Sequence, residues 1–157
     1  MKSKLKNSIL LICLNESFGK SLSKSFADSL SMHFADCKEL VEYDLFNSGQ
    51  ILSECGKDYY LMREKKVVMM TCGYENTVMF ADYDIFNHNK EVFNNRSTTV
   101  FLKVPKQCLT EKDMISLLAF DIRDSELEKE CDITVNIKKL NEKSALNEIY
   151  RVLGELK

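Results

Sequence analysis

The sequence predicts an α/β protein, a parallel sheet covered on both faces by helices. Three observations carry that expectation. Apolar residues make up 45% of the 157-residue chain, enough for one sizeable core, and the length suits a single domain over 1–157. The run SILLICL at 8–14 is apolar at successive positions, which fits a strand buried on both faces rather than half of a solvated hairpin. Strand-like runs then alternate with segments of helical composition, the pattern of right-handed crossovers.

The elements follow in order. After the first strand a polar turn leads into KSLSKSFADSLSMHF, where Leu22, Phe26, Leu30 and Phe34 recur every four residues on one face of a helix. Residues from about 39 to 65 have helical composition, and KVVMMTC at 66–72 is expected to be a strand ending at Gly73. A helix over about 88–95 precedes TTVFLKV at 98–104, a strand closed by Pro105. A helical segment of about 108–130, the strand DITVNI at 132–137 and a last helix of about 141–156 complete the chain. That last helix carries Leu146, Ile149, Val152, Leu153 and Leu156 as its apolar stripe.

Composition narrows the function classes. Lys plus Arg is 22 against 24 Asp plus Glu, a net charge of −2, so the chain lacks the footprint of a nucleic-acid or anionic-membrane binder. No apolar run approaches the ~18 residues of a membrane span. The N-terminal MKSKLKNSILLICLNES has no small-residue cleavage site and reads as the first strand, not a signal peptide. Six widely spaced cysteines without a C-x-x-C pair read as reduced thiols of a cytoplasmic protein, with no zinc site or disulfide framework. The seven methionines read as core gap-fillers.

In open α/β sheets ligands sit at the carboxyl ends of the strands, which directs attention to the turn after the first strand. There Gly19, Lys20 and Ser21 match the second half of G-x-x-x-x-G-K-[ST], the phosphate-binding loop. Such a loop cradles phosphate oxygens with backbone N–H groups, neutralises them with the Lys, and ligates Mg²⁺ through the hydroxyl. Leu14 stands where the first Gly belongs, and Glu16 repels phosphate unless it points outward. The competing reading is a plain helix N-terminus that happens to carry Lys and Ser.

From about Ile9 to Leu153 the chain resembles shikimate kinase, a small phosphate-loop phosphotransferase of the nucleoside-monophosphate-kinase type. The family's F-x-D-x-D at the second strand is matched by Phe34-Ala35-Asp36-Cys37-Lys38. Its E-I-F-x-x-x-G-E-x-x-F-R-x-x-E helix is matched by Gln50-Ile51-Leu52, Gly56, Tyr60-Leu61 and Glu64. The glycine triplet after the third strand resembles Cys72-Gly73-Tyr74, and the fourth strand VFLKVP is similar to Y-L-x-V-x-P. Arg123-Asp124-Ser125-Glu126-Leu127, followed by Cys131-Asp132, resembles R-x-P-L-Y-x-x-x-A-D.

The resemblance implies a five-stranded parallel sheet in a three-layer α/β/α sandwich, with a shortened lid at about 106–122. It implies ATP and Mg²⁺ as cofactors, with Gly19, Lys20 and Ser21 on the phosphates and Ser21 on the metal. Lys20 and Asp36 would be catalytic, while Asp36, Gly73 and Arg123 would hold a shikimate-like acid. The expected partners are small molecules and the expected state a monomer.

Other family positions are changed. Lys38 replaces an Asp near the reacting hydroxyl and cannot accept a proton when charged. Leu61 replaces the helix arginine that grips the acid by a bidentate fork, and Arg63 is turned about 200° away from it. Only 17 residues separate Pro105 from Arg123, with Ile115 in place of the lid arginine in the remnant Ile115-Ser116-Leu117-Leu118-Ala119. Leu14 and Phe18 would reshape the phosphate nest, and Cys72 and Tyr74 would crowd the substrate.

The expected function is therefore a divergent member impaired towards shikimate and retaining at most nucleotide or small-anion binding. The alternative is an active ATP-dependent kinase of shikimate or another hydroxylated acceptor. Bland readings stand beside the functional ones. Asp36 is either a ligand of Mg²⁺ through water or a helix N-cap, and Arg123 either an anion clamp or an ion-pair partner of Asp124 or Glu126. Glu64 is expected to be solvated, His33 structural, His88 part of a polar loop, and Asp82 and Asp84 part of a solvated loop from Glu75 to Asp84.

Overall fold

The apolar run at the N-terminus becomes the centre of the sheet. The structure, a computed structural model, describes residue 6 and residues 8–45, 53–109 and 119–154. Its strands are β1 (Ser8–Cys13), β2 (His33–Asp36), β3 (Thr77–Ala81), β4 (Thr98–Lys103) and β5 (Ile133–Asn136). All pair in parallel, in the order β2-β3-β1-β4-β5. Its helices are α1 (Glu16–Ser29), α2 (Cys37–Leu45), α3 (Lys57–Cys72), α4 (Tyr83–Arg96), α5 (Phe120–Glu130) and α6 (Glu142–Gly154), with a 3₁₀ turn at Lys106–Cys108.

Every residue of β1 is buried because alternate side chains feed two cores. Ile9, Leu11 and Cys13 pack with Leu22 and Phe26 of α1 and with Ile149 and Leu153 of α6. Leu10 and Ile12 pack on the opposite face with Val68 of α3, Phe86 and Phe93 of α4, and Phe120 and Leu127 of α5. The result is the expected three-layer α/β/α sandwich around five parallel strands. No helix among the described residues is long and apolar enough to cross a membrane.

Several boundaries differ from the sequence reading. The segment 66–72 is not a strand but the last two turns of α3. Glu64, Val67, Val68, Thr71 and Cys72 are buried at helical spacing while Met69 and Met70 face outward, so the apolar run joins two faces of one helix. The third strand is instead TVMFA, fully buried, inside the stretch read as a solvated loop.

Gly73 consequently caps the C-terminus of α3 with φ −80° and lies at the amino edge of the sheet, four residues before β3 begins. It does not follow the third strand. The residues that do are Asp82, Tyr83 and Asp84.

α1 begins four residues earlier than expected and ends before Leu30, which is 40% exposed, while Phe34 belongs to β2. Ser31 turns the chain with φ 55°. His33 is the exposed first residue of β2, not the end of a helix. The helical stretch 39–65 divides into α2 and the start of α3, and His88 lies within α4. Met79 is fully buried, but Met62, Met69 and Met70 are exposed and fill no core. Gln50-Ile51-Leu52, the lid remnant from Ile115 to Leu118 and Leu156 lie outside the described residues.

Candidate functional site

Chain direction across the sheet reverses at β1. From it the chain goes out to β2, returns to β3 on one flank of β1, then crosses to β4 on the other. The crevice outside the carboxyl end of β1 is the topological switch point, where this architecture places ligands. The sequence puts Leu14-Asn15 there, followed at once by α1.

That connection is two residues long. Asn15 is the N-cap of α1, and its Oδ1 accepts from the Phe18 N–H at 3.1 Å. Its Nδ2 donates to the Cys108 carbonyl at 3.0 Å, tying the turn after β1 to the segment after β4. The Gly19 N–H donates to the Asn15 carbonyl at 2.9 Å, the first rung of the helical ladder. Lys20 and Ser21 lie beyond that rung, where the ladder takes up their N–H groups as well.

Gly19 has a packing reason for being Gly. A Cβ built on it would stand 2.4 Å from Cys13 Cβ and 2.9 Å from Phe80 Cε2. Helix α1 approaches β1 and β3 so closely that no side chain fits.

Lys20 and Asp36 are brought together as partners of each other. Lys20 Nζ lies 2.6 Å from Glu39 Oε1 and 3.0 Å from Asp36 Oδ2. Hydrogen bonding to Glu39, then to Asp36, holds the ammonium well above the usual lysine range of proton affinity. Asp36 is buried, and its Oδ1 accepts from the Lys38 N–H at 3.0 Å and the Glu39 N–H at 3.4 Å, capping α2.

The surrounding cavity, about 390 Å³, is lined by Lys20 and Lys38 against five carboxylates: Glu16, Asp36, Glu39, Glu42 and Asp82. A larger groove of about 690 Å³ runs beside the edge strand β2, past His33, Tyr43 and Tyr74. Among the described residues no group of three or more His, Cys, Asp and Glu side chains is arranged to hold a metal ion. Ser21 is exposed in α1.

A third cavity, about 590 Å³, lies beside α2, α3 and α4 and contains Lys38, Leu61, Asp82 and His88. At its margin Glu64 is buried, not solvated, and its Oε1 meets His88 Nδ1 at 3.0 Å and accepts from Asn89 Nδ2 at 2.9 Å. Burial pushes the Glu64 carboxyl up in proton affinity, partly offset by the bonds from Asn89 and His88. Asp82 closes β3 and caps α4 by accepting from the Ile85 N–H at 2.8 Å. Burial raises its proton affinity too, against the Ile85 hydrogen bond.

The remaining candidates lie elsewhere. Arg63 makes a two-pronged contact with Asp44 of α2, with Nε 3.1 Å from Oδ2 and Nη2 2.9 Å from Oδ1. Arg123 stacks its guanidinium 4.4 Å above the Tyr83 ring, and Tyr83 also bonds Glu126. Asp124 pairs with Lys103. The capping and burial of Asp82, and the Glu64–His88–Asn89 group, were missed by the sequence reading. An Asp directly after an apolar run and before D-I-F was the signal for the first.

The fold is shared with solved structures. Shikimate kinase from Bacteroides thetaiotaomicron superposes with a TM-score of 0.75 at 19% identity, over 94% of this chain and 98% of that one. The fold is that of the shikimate kinases. The enzyme from Aquifex aeolicus gives a TM-score of 0.73 at 22% identity, covering 94% of this chain and 96% of its own. The enzyme from Acinetobacter baumannii, in complex with shikimate, gives 0.75 at 17% identity, covering 98% and 96%. No family model matches the sequence. No curated protein matches it either. At 17 to 22% identity the likeness is one of fold.

Proposed function

We propose that this chain is a noncatalytic member of the shikimate-kinase fold, a binding module in which phosphate transfer has been lost. One observation carries the reading: the Gly19 N–H, which a phosphate-binding loop would aim at a nucleotide, is bonded to the Asn15 carbonyl inside α1. A helix begun at Glu16 leaves only its first-turn N–H groups outside the ladder, and the Glu16 carboxylate stands in that turn.

Electrostatics supports the same reading. A triphosphate entering the crevice meets five carboxylates against two ammonium groups, and one of those ammoniums is already paired twice. The residues present therefore do not fit Mg·ATP. Leu61, on the acceptor side, brings no guanidinium fork to the neighbouring cavity.

Calorimetric titration of the full chain with Mg·ATP, followed by a coupled phosphotransfer assay with shikimate, tests this. We expect no saturable heat at millimolar nucleotide and no turnover. Micromolar binding abolished by Lys20→Ala, or shikimate phosphorylation at ordinary kinase rates, would establish the active reading instead.

A further inference from the structure

Helix α3 is amphipathic in an unusual sense: its outer face is also apolar. The inner face is accounted for by Glu64, Val67, Val68, Thr71 and Cys72, all buried. On the outer face Tyr59 is 39% exposed, Met62 59%, Met69 37% and Met70 55%, and Tyr74, just past the helix, is 51% exposed. Half of the large apolar side chains exposed among the described residues thus belong to this one helix and its C-terminal turn. Apolar residues scattered singly over a surface need no explanation, but a concentration on one helix does.

The row has a period. Positions 59, 62, 66, 69 and 73 are separated by alternating steps of three and four, the spacing of a coiled-coil seam. Tyr59, Met62, Met69 and Gly73 are small or apolar members of that seam, and Lys66 sits at its centre with Lys65 beside it. Unbranched methionine side chains adapt to a partner's contour more readily than branched ones.

Charge selects the occupant. Along α3 the exposed ionic residues are Lys57, Lys65 and Lys66 against Asp58, because Arg63 is engaged by Asp44 and Glu64 is buried. A second copy of this chain is a poor match. It offers the lysines no carboxylate: an in-register parallel pairing sets Lys66 against Lys66, and the antiparallel pairing that sets Tyr59 against Met69 sets Lys66 against Met62.

We propose that the outer face of α3 is a docking seam for an acidic amphipathic helix of a partner protein. The partner presents apolar residues to Tyr59, Met62, Met69 and Met70 and a carboxylate to Lys65 and Lys66. This is a helix-on-helix mode in which the apolar contacts supply affinity and the charges set register and partner choice. It does not depend on whether the crevice binds nucleotide.

Fluorescence anisotropy with the full chain tests the proposal. The probe is a labelled synthetic helical peptide with leucines along its seam and glutamates where it meets Lys65 and Lys66. A matched peptide carries lysines in place of those glutamates. Saturable binding of the acidic peptide alone is expected, weakened about tenfold or more by Met62→Asp with Met69→Asp. Lys65→Glu with Lys66→Glu should transfer the preference to the basic peptide, and circular dichroism should report both variants folded, since all four side chains are exposed. Binding of neither peptide, or equal binding of both, overturns the proposal. So does a dimer in sedimentation velocity that Met62→Asp with Met69→Asp disperses, since the seam would then serve a second copy.

Discussion

The turns after β1 and after β3 lie side by side at the carboxyl edge of the sheet, and each is closed by an Asx side chain. Asn15 caps α1 through the Phe18 N–H and Asp82 caps α4 through the Ile85 N–H. Each cap also accepts the first helical backbone bond, from Gly19 at 2.9 Å and from Phe86 at 3.1 Å. The backbone solution is the same, yet the chemistry differs. Asn15 is a neutral amide that also donates to Cys108, whereas Asp82 is a partly buried carboxylate whose desolvation favours the proton. The first turn is therefore a mechanical joint, indifferent to pH, and the second a joint whose strength depends on ionisation.

The largest expected effect breaks the first joint. Gly19→Ala drives a methyl into Cys13 Cβ and Phe80, both anchored in strands, and should cost about 3 kcal/mol in urea unfolding. An unchanged midpoint would mean that α1 does not press on the sheet as described. Next comes the helix that follows the second joint. Glu64→Ala leaves Asn89 Nδ2 without one of its two acceptors and should cost about 2 kcal/mol, while Glu64→Gln, which retains a carbonyl acceptor, should cost far less. Equal losses in the two variants would show that volume, not hydrogen bonding, is at stake.

Asn15→Ala removes a cap and a tertiary bond and should cost about 1 to 2 kcal/mol, with the same loss at every pH measured. The smallest effect sharpens the contrast. Because the Asp82 carboxyl is raised in the folded state, the native protein binds that proton more tightly than the unfolded chain. Its protonation adds stability as pH falls through the native value, complete below the ordinary 3.8 of an unfolded Asp. Above the native value the ionised group is a burden. Asp82→Asn keeps a capping oxygen without the charge, so its advantage over the parent should be greatest near neutrality and shrink on acidification. Urea midpoints at pH about 4 and about 7 check the sign.

Much of the architecture was legible because its signals are local and strong. SILLICL admits burial on two faces, and TTVFLKV closed by Pro105 leaves little choice but a strand. The 66–72 run was not legible in isolation, since Val67-Val68-Met69-Met70 satisfies a strand and one turn of helix equally. Only the burial of Glu64 and Thr71 on the same side as Val67 and Val68 separates them. TVMFA was hidden by its acidic flanks, Glu75 and Asp82, which read as solvent. At the crevice, Gly19-Lys20-Ser21 was visible, but the start of α1 at Glu16 and the close packing of Gly19 on Cys13 and Phe80 were not. The signal for that early helix start is Asn15, one turn before Gly19, whose side chain caps α1.

The amide of Asn15 also has a mechanical consequence. By reaching Cys108 it stitches together the two strand ends whose divergence normally opens the mouth of such a sheet. Any tug on the segment beyond Pro105 is transmitted through that amide straight into the first helix.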